Sequence, residues 1–168
     1  MAVVLLLGLA MSGVSSNLNR FVPQAQSESA ARTVIGDLDL VRSSAISNGR
    51  PYQIEFDLDN NQYRIITPFT ADGRIARTAE DRTDLGIDTL PKGTSISGLM
   101  VSGSPNRITS GLHRVTFHHS GIMNDLVIYL SNDMGEMYDL TVVMGAITGK
   151  TLVVEGSFEP QKVTDADF

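Results

Sequence analysis

The chain opens on a run of apolar residues. Residues 1–14 read MAVVLLLGLAMSGV, with no charged side chain and with Ser12 as the one hydroxyl residue. A helix on a protein surface needs a polar face, so this segment predicts burial in lipid or in a protein core. A helix of this length covers about 21 Å, whereas the hydrocarbon core of a bilayer is about 30 Å thick. The alternatives are a buried core helix and a secretory signal peptide, although the basic start and the cleavage site of a signal peptide are missing.

A helical pattern continues beyond this segment. Apolar residues recur at steps of mostly three or four, at Leu18, Phe21 or Val22, Ala25, Ala31, Val34, Leu38, Val41 and Ala45. The opposite face carries a mixed set of charges, Glu28, Arg32, Asp37, Asp39 and Arg42. Mixed charges on one face are typical of a solvated surface. The second half of the helix is therefore predicted to be amphipathic.

The sequence also predicts where this helix is interrupted and where it ends. Pro23 lacks an amide proton and its ring clashes with the preceding turn, so we expect a kink or a split there, with Ser27 or Ser29 capping a new start. Asn48 is followed by a glycine and then, two residues later, by a proline, which predicts the end of the helix near Asn48. A helix over residues 1–48 would be about 70 Å long, so its first half must project from the domain.

From Tyr52 onward the apolar spacing changes to that of β-strands. Seven segments separated by turn residues are predicted as strands, 52–56, 62–66, 95–101, 113–119, 125–131, 137–143 and 150–156. Residues 68–94 are rich in Asp, Arg, Thr and Gly without sustained periodicity, which predicts a long irregular connection. Successive strands joined by short turns predict an antiparallel meander.

One face of the predicted sheet is left for a helix to cover. Val115 and Phe117 share one face of their strand, and Arg114 lies on the other. The amphipathic helix is the natural cover of the apolar face. Its predicted sheet-packing residues are Val34, Leu38, Val41 and Ala45.

These elements predict an α+β fold, in which a long N-terminal helix packs on a C-terminal antiparallel β-sheet domain. Residues 1–26 are expected to form the apolar half of the helix, for a membrane or a filament core. Residues 27–168 are expected to form the globular domain. It comprises helix 27–48, a β-domain over 52–156 and a flexible tail, 157–168.

Composition narrows the range of functions. The chain has 168 residues, 42% of them hydrophobic and 19% charged, which suits one globular domain. Its 13 Lys and Arg against 19 Asp and Glu give a formal charge of −6, which disfavours attraction to nucleic-acid phosphates. The absence of cysteine excludes a disulfide framework, thiolate metal sites and a cysteine nucleophile.

The three histidines do not predict a metal site. His118 and His119 are adjacent, so their side chains would point to opposite faces of a strand. His113 lies six residues from His119, which is about 20 Å along a strand. Three such side chains cannot surround one ion.

The acidic candidates do not predict a catalytic or calcium site. Asp57, Asp59 and Asn61 imitate the start of a calcium loop, but Gln62 stands where that loop needs glycine and Pro68 where it needs glutamate. Two further pairs of carboxylates could act as acid and base. Glu80 and Asp81 lie beside Arg82 in the long connection, and Asp125 and Glu136 flank a predicted hairpin. Nothing predicts the burial that would separate their pKa values. We therefore expect no enzyme and no cofactor.

Four segments carry a resemblance to known proteins. The run 1–14 is similar to a type IV pilin-like leader helix with a glycine in its interior. ARTVIGDLDLVRSSAISNGRPYQIEFD (31–57) has a helix that ends in a G-R-P turn and enters a strand. RVTFHHSGIMNDLVIYL (114–130) contains F-x-x-x-G, and GAITGKTLVV (145–154) contains T-G-K. In these segments the chain resembles the GspH/FimT family, the H-type minor pseudopilins of type II secretion and the FimT-like minor pilins of type IV pili.

The resemblance implies a pilin-like, non-enzymatic filament subunit that contributes to protein secretion or pilus assembly. It implies a single-pass anchor in the bacterial inner membrane, a periplasmic C-terminal domain, and other pilins or pseudopilins and possible secreted substrates as partners. The resemblance does not distinguish a subunit of a secretion pseudopilus from a subunit of a type IV pilus. Apolar and small residues of the helix would contact membrane or neighbouring subunits, namely Val3, Leu6, Gly8, Leu9, Gly13 and Val14.

The chain departs from this family at its start. Prepilin peptidase recognises a short basic leader, a glycine, an N-methylated aromatic residue and a nearby glutamate, and none of these precedes Met1. Cleavage and methylation sites are therefore not assigned. We hypothesise that Met1 lies inside the original apolar segment, since about six more residues would give the roughly 20 that a bilayer requires.

Two other functions stay open at this stage. A DNA-binding FimT-like pilin would need a basic stripe, whereas Arg74, Arg77 and Arg82 are interleaved with acidic residues, which disfavours DNA as a partner. An exported soluble β-domain that binds a ligand after signal-peptide removal is the other alternative.

Overall fold

The computed structural model describes residues 2–101, 106–121 and 123–158, with side chains from Val22 onward. The chain begins with one helix, α1 (Ala2–Asn48), of 47 residues. At 1.5 Å per residue α1 is about 70 Å long. A domain made from the remaining residues is only about 35 Å across, so α1 is too long to be covered by it from end to end.

The helix passes through Pro23 without a break. The predicted split, with a new start at Ser27 or Ser29, is therefore wrong. A proline inside a helix removes a single backbone hydrogen bond, and tertiary packing can outweigh that loss. Pro23 and Ser27 are both buried against the domain, which holds this turn of the helix in place.

The C-terminal end of α1 is closed by its own backbone. Gly49 takes a left-handed φ of 61°. Its nitrogen donates to the oxygen of Ile46 (3.2 Å), and the nitrogen of Arg50 donates to the oxygen of Ala45 (3.1 Å). These two bonds form a Schellman cap, which needs a residue that tolerates positive φ at this position. The helix thus ends at Asn48, as its sequence predicts.

Eight strands follow the helix. They are β1 (Tyr52–Asp57), β2 (Gln62–Ile66), β3 (Asp84–Thr89), β4 (Thr94–Val101), β5 (Leu112–Phe117), β6 (Leu126–Asn132), β7 (Leu140–Met144) and β8 (Thr151–Glu155). A short 3-10 helix, Glu136–Tyr138, precedes β7, so the strand predicted over 137–143 starts later than expected. His118 and His119 lie beyond the end of β5.

The strands form two four-stranded antiparallel sheets rather than one meander. The first sheet has the order β3-β2-β1-β5, and the second has the order β4-β6-β7-β8. Because β4 pairs with β6 while β5 pairs with β1, the chain changes sheet between β4 and β5. The predicted meander is therefore confirmed for β6, β7 and β8, which pair in chain order, and wrong for β4 and β5. Alternation within a strand identifies its buried face, but it does not identify the neighbouring strand.

Strand β3 lies inside the segment that was expected to be irregular. All six of its residues are exposed. It pairs with β2 through an irregular register next to Gly86, which has a φ of 104°. The two apolar residues of β3, Leu85 and Ile87, do alternate with polar ones, but an alternation of two residues around Gly86 is too short a signal to identify a strand.

The core lies between α1 and the two sheets, and α1 contacts strands of both. The four sheet-packing residues predicted for the helix are at most 1% exposed, namely Val34, Leu38, Val41 and Ala45. They pack with aromatic and aliphatic side chains from the strands, including Phe56, Phe117, Leu99 and Ile128. The predicted α+β fold, a long helix on antiparallel sheets, is confirmed.

Candidate assembly surface

A buried asparagine ties the middle of α1 to the end of β6. The side-chain nitrogen of Asn132 donates to the backbone oxygen of Pro23 (3.2 Å) and to Oγ of Ser27 (2.8 Å). Its side-chain oxygen accepts from the nitrogen of Met134, and its backbone nitrogen donates to Asp139, both at 2.9 Å. Buried hydrogen bonds are costly to leave unmade. This Asn132 latch therefore fixes α1 to the domain just beyond the apolar segment.

Two glycine turns close around the second half of α1. The backbone oxygen of Gly121 accepts a hydrogen bond from Arg42 Nε (3.5 Å). A Cβ atom on Gly149 would lie 2.2 Å from that nitrogen, and one on Gly121 would lie 3.1 Å from Ile46 Cδ1. Gly121 and Gly149 also have positive φ, 78° and 60°. These are the glycines of the F-x-x-x-G and T-G-K motifs, and they let both turns approach the helix.

A tyrosine on β2 links the first sheet to α1. The hydroxyl of Tyr63 donates to Asp37 Oδ2 at 2.5 Å. Burial, reinforced by this bond and by the charge of Asp37, raises the pKa of Tyr63 well above its ordinary value. Burial and the charge of Asp37 also raise the pKa of Asp88. Asp37 is half-buried, so its assignment to the solvated helix face is wrong.

An ionic network crosses the outer face of the first sheet. Glu55 lies opposite Arg64 on β2 and opposite Arg114 on β5. The Glu55 side chain is only 5% exposed, and it accepts from Arg64 Nε at 2.7 Å and from Arg114 Nε. Burial opposes ionisation, but the hydrogen bonds from Arg114 and Arg64 outweigh it and lower the pKa of Glu55. Arg64 also contacts Asp84 at 3.2 Å, which joins four strands of the sheet.

A groove runs beside α1, between the helix and the edge strand β8. Its volume is about 420 Å³. Residues of α1, the 3-10 helix, β7 and β8 line it: Gln24, Ser27, Glu28, Ala31, Arg32, Met137, Tyr138, Leu140, Val153 and Glu155. We call it the helix-side groove. Met137 is 78% exposed and Val153 46%, so part of the apolar wall of this groove faces solvent.

The predicted filament-packing residues lie outside the side chains that the structure describes, namely Val3, Leu6, Gly8, Leu9, Gly13 and Val14. Their backbone belongs to α1. Within the described part of the chain, no helix combines the length and the apolar character needed to cross a membrane.

The side chains that imitate a calcium loop are engaged separately. Asp57 accepts from the backbone and the side chain of Asn60, at 3.1 and 2.8 Å. Asp59 accepts from the nitrogen of Gly111 at 3.2 Å, and Asn61 accepts from the nitrogen of Ile96 at 2.9 Å. These bonds stabilise the β1–β2 turn and its neighbours.

The other candidate groups are scattered. His118 and His119 are exposed, and His113 contacts the oxygen of Ser110 at 2.8 Å. Across residues 2–101, 106–121 and 123–158, no group of three His, Asp or Glu side chains could hold a metal ion. Asp125 accepts from the nitrogen of Ala146 at 2.7 Å, which places it in a turn.

The basic residues of the long connection form no stripe. Arg74 contacts Asp72 at 2.9 Å, and Arg77 and Asp81 line the same surface depression. Glu80 and Asp81 are both exposed. Alternating charges of this kind favour solvation over binding to a phosphate backbone.

Sequence reasoning missed the side chains that hold these elements together. Asn132 and Glu55 are polar residues within strands, and the partners that tie them to other elements, Pro23 and Ser27 for Asn132 and Arg114 for Glu55, lie far away in the sequence. The spacing of Glu55 and Arg64 around the β1–β2 turn was the one available signal, since facing residues of a hairpin form cross-strand pairs.

A long helix latched into a small domain of antiparallel sheets is the architecture of a pilin-like subunit. The sequence matches the family described as "Type II transport protein GspH" over residues 30–149, which is more than half of the chain. The chain therefore belongs to this family, and it is a pilin-like subunit of that class. A comparison with curated proteins finds no match.

Solved structures of minor pseudopilins and minor pilins share the fold. Two structures of the minor pseudopilin EpsH from the type II secretion system of Vibrio cholerae superpose with TM-scores of 0.52 and 0.56, at 17% and 14% identity. The matches cover 77% and 82% of this chain, and 97% and 99% of EpsH. The type IV minor pilin FimU of Pseudomonas aeruginosa gives a TM-score of 0.52 at 18% identity, covering 86% of this chain and 99% of FimU.

Proposed function

We propose that this chain is a non-catalytic minor subunit of a pseudopilus or pilus, anchored in the bacterial inner membrane before it joins the filament. In this role α1 supplies both the anchor and the contact with neighbouring subunits. The C-terminal domain stands on the periplasmic side, where it meets other subunits and secreted substrates. Membership of the GspH family supports this role.

One observation carries the proposal. The second half of α1 is fixed in the core, while the helix continues as one element back to Ala2. The segment before Val22 reaches about 30 Å at 1.5 Å per residue. It contains the charge-free run 1–14, which must be covered by lipid or by protein.

Membrane fractionation tests the anchor. The full chain, expressed in a bacterium that carries a type II secretion system, is expected in the inner-membrane fraction, and protease added to spheroplasts should digest its C-terminal domain. A matched variant with Leu5→Lys and Leu9→Lys should move to the soluble fraction with its domain still folded. Each charge in the apolar segment raises the free energy of membrane insertion by about 3 kcal/mol. Recovery of the unaltered chain from the soluble fraction would contradict the proposal.

A further inference from the structure

The second sheet ends at β8, whose outer edge has no paired strand among the described residues. The ladder between β7 and β8 fixes which backbone groups point out of that edge. The oxygen of Lys150 accepts from the nitrogen of Gly145 at 3.1 Å. At the other end, the nitrogen of Gly156 donates to the oxygen of Asp139 at 2.8 Å. Hydrogen-bonded pairs alternate along an antiparallel ladder, so the backbone groups of even-numbered residues in β8 point to β7 and those of odd-numbered residues point outward.

The outward backbone groups of β8 belong to Thr151, Val153 and Glu155. The side chains of these residues lie on the face of the sheet that covers α1, since Val153 pairs with the fully buried Val142. Val153 is nevertheless half-exposed, and Glu155 is exposed, so this edge is open to solvent. A strand added at the edge would place the residue opposite Val153 on the same face, because paired residues of neighbouring strands share a face.

The helix-side groove adjoins this edge, since Val153 and Glu155 line it. α1 packs on β6 and β7, whereas Glu28 and Ala31 of α1 face β8 across the groove. Strands of one sheet lie about 4.8 Å apart, so the inward side chains of an added strand would enter the groove beside Val153. Met137 supplies further exposed apolar surface there. The second sheet is therefore one strand narrower than the space beside α1.

The charges of the groove favour a strand that carries a cation. Glu155 has no ion pair among the described residues, and Glu28 contacts only the exposed Arg32, at 3.7 Å. A cationic residue opposite Glu155 would complement this carboxylate, and an apolar residue opposite Val153 would complement the apolar wall. The chain's own tail after Phe158 carries three carboxylates against one lysine, so its charge does not match the groove.

We propose that the edge of β8 and the helix-side groove bind an extended segment of another protein, which adds an antiparallel fifth strand to the second sheet. The added strand has an apolar residue opposite Val153 and a cationic residue opposite Glu155. Its backbone bonds supply affinity, and the side chains that enter the groove supply selectivity. An antiparallel direction is favoured because antiparallel pairs are slightly more stable per residue. The site goes beyond the proposed function and does not depend on it.

A synthetic peptide, capped at both ends, with the sequence Lys-Thr-Val-Thr-Val-Thr-Lys is the probe. Its alternate residues present valine and lysine to the groove. Fluorescent peptide titrated with the full chain in detergent micelles should show a saturable rise in anisotropy. Residue-resolved hydrogen exchange should become slower at the amides of Thr151, Val153 and Glu155, and it should stay unchanged at Leu152 and Val154, whose amides already bond to β7.

The matched control peptide has both valines N-methylated. It keeps the side chains and the apolar character of the probe but lacks the two N–H donors that would bond to β8, so we expect its affinity to be about tenfold lower. Val153→Pro makes the complementary change in the protein. It removes an N–H that points out of the sheet, which an edge strand tolerates, and we again expect a loss of about tenfold.

A charge reversal tests the selectivity without altering the backbone. Glu155→Lys should weaken binding of the probe roughly two- to fivefold, because the lysines of the peptide would then face a cation. A peptide in which glutamate replaces both lysines should show the opposite preference and bind this variant better than the unaltered chain.

Several results would overturn the strand-addition site. These are equal binding of the probe and its N-methylated control, slower exchange that does not fall on the three outward amides, and no binding at millimolar peptide. An affinity unchanged by both Val153→Pro and Glu155→Lys would place the peptide elsewhere and would also overturn it. None of these results bears on the membrane fractionation described above, so the proposed function stands or falls separately.

Discussion

At the scale of single residues, polar side chains decide how α1 and the sheets are held together. Asn132 joins the helix to β6, Tyr63 joins it to β2, and Glu55 joins β1 to β2 and β5. Each of these side chains is buried. A paired buried polar group adds little to the free energy of unfolding, whereas removing its partner lowers that free energy considerably. Substitutions of these residues should therefore be destabilising.

Replacing Glu55 by glutamine should destabilise the domain. The change leaves Arg64 and Arg114 without the carboxylate that they share. Because both arginines are partly exposed, we expect a loss of about 1–3 kcal/mol in the free energy of unfolding. Chemical denaturation of the full chain in detergent measures this free energy of unfolding. Asp39→Asn, the same chemical change at an exposed helix position, should cost less than about 0.5 kcal/mol.

The same carboxylate predicts a pH dependence. Its pKa is lowered in the folded state, so its contribution to stability is complete above the ordinary pKa of about 4.3 and is lost as pH falls through the lower folded value. We therefore expect the difference in stability between the unaltered chain and Glu55→Gln to shrink below about pH 4. A constant difference from pH 7 to pH 3 would refute the role of the ionised network.

Asn132→Ala removes the latch between α1 and β6. Ser27, the backbone oxygen of Pro23 and the nitrogen of Met134 each lose a partner. We expect a loss of about 1–3 kcal/mol in the free energy of unfolding and faster hydrogen exchange in α1 around Ser27. Asn124→Ala, at an exposed asparagine, serves as the control. Equal effects of the two substitutions would show that the latch contributes nothing.

Gly149→Ala tests the close approach of a turn to α1. The new Cβ would meet Arg42 Nε at 2.2 Å, in a backbone with positive φ. Gly73→Ala has similar backbone strain but open space around it, and should cost about 1–2 kcal/mol. Because Arg42 Nε belongs to the far end of a flexible side chain that can shift, we expect Gly149→Ala to cost less than about 1 kcal/mol more than Gly73→Ala, and Arg42→Ala to remove that excess. An excess that persists without Arg42 would contradict the proposed contact.

At the scale of elements, the buried stripe of α1 makes the helix part of the core. Leu38 is fully buried, whereas the adjacent Asp39 is exposed. Leu38→Asp would place an unpaired charge between helix and sheets, and we expect it to destabilise the domain by roughly several kcal/mol. Asp39→Ala should change the melting temperature little. Similar melting temperatures for the two variants would show that the wrong face of the helix had been assigned to the core.

The helix and strands also differ in how well the sequence predicts them. The end of α1 was predictable, because a residue that takes positive φ and a nearby proline are local signals around Gly49. The change of sheet between β4 and β5 was not predictable, since it does not depend on local apolar spacing. The exposed strand β3 offered only two alternating apolar residues, Leu85 and Ile87, which is too short a signal. The latch was equally hidden, because Asn132 lies more than 100 residues from Ser27.

At the scale of the whole molecule, the chain is a rod joined to a small domain. The amphipathic half of α1 completes the core, and the cap at Gly49, the Asn132 latch and the two glycine turns fix its position along the domain. A force or contact acting on the first half of α1 is therefore passed to the domain through these fixed points. This arrangement suits a subunit that is held by its helix and presents its domain outward.

Complementation tests the central claim most directly, that the helix makes this chain a subunit of a secretion or pilus filament. The host strain lacks the chain's gene and is complemented with the full chain or with a variant lacking residues 2–21, while secreted protein and surface filaments are quantified. We expect the full chain to restore secretion or piliation and the shortened chain to restore neither, although its domain still folds. Full restoration by the shortened chain would contradict it.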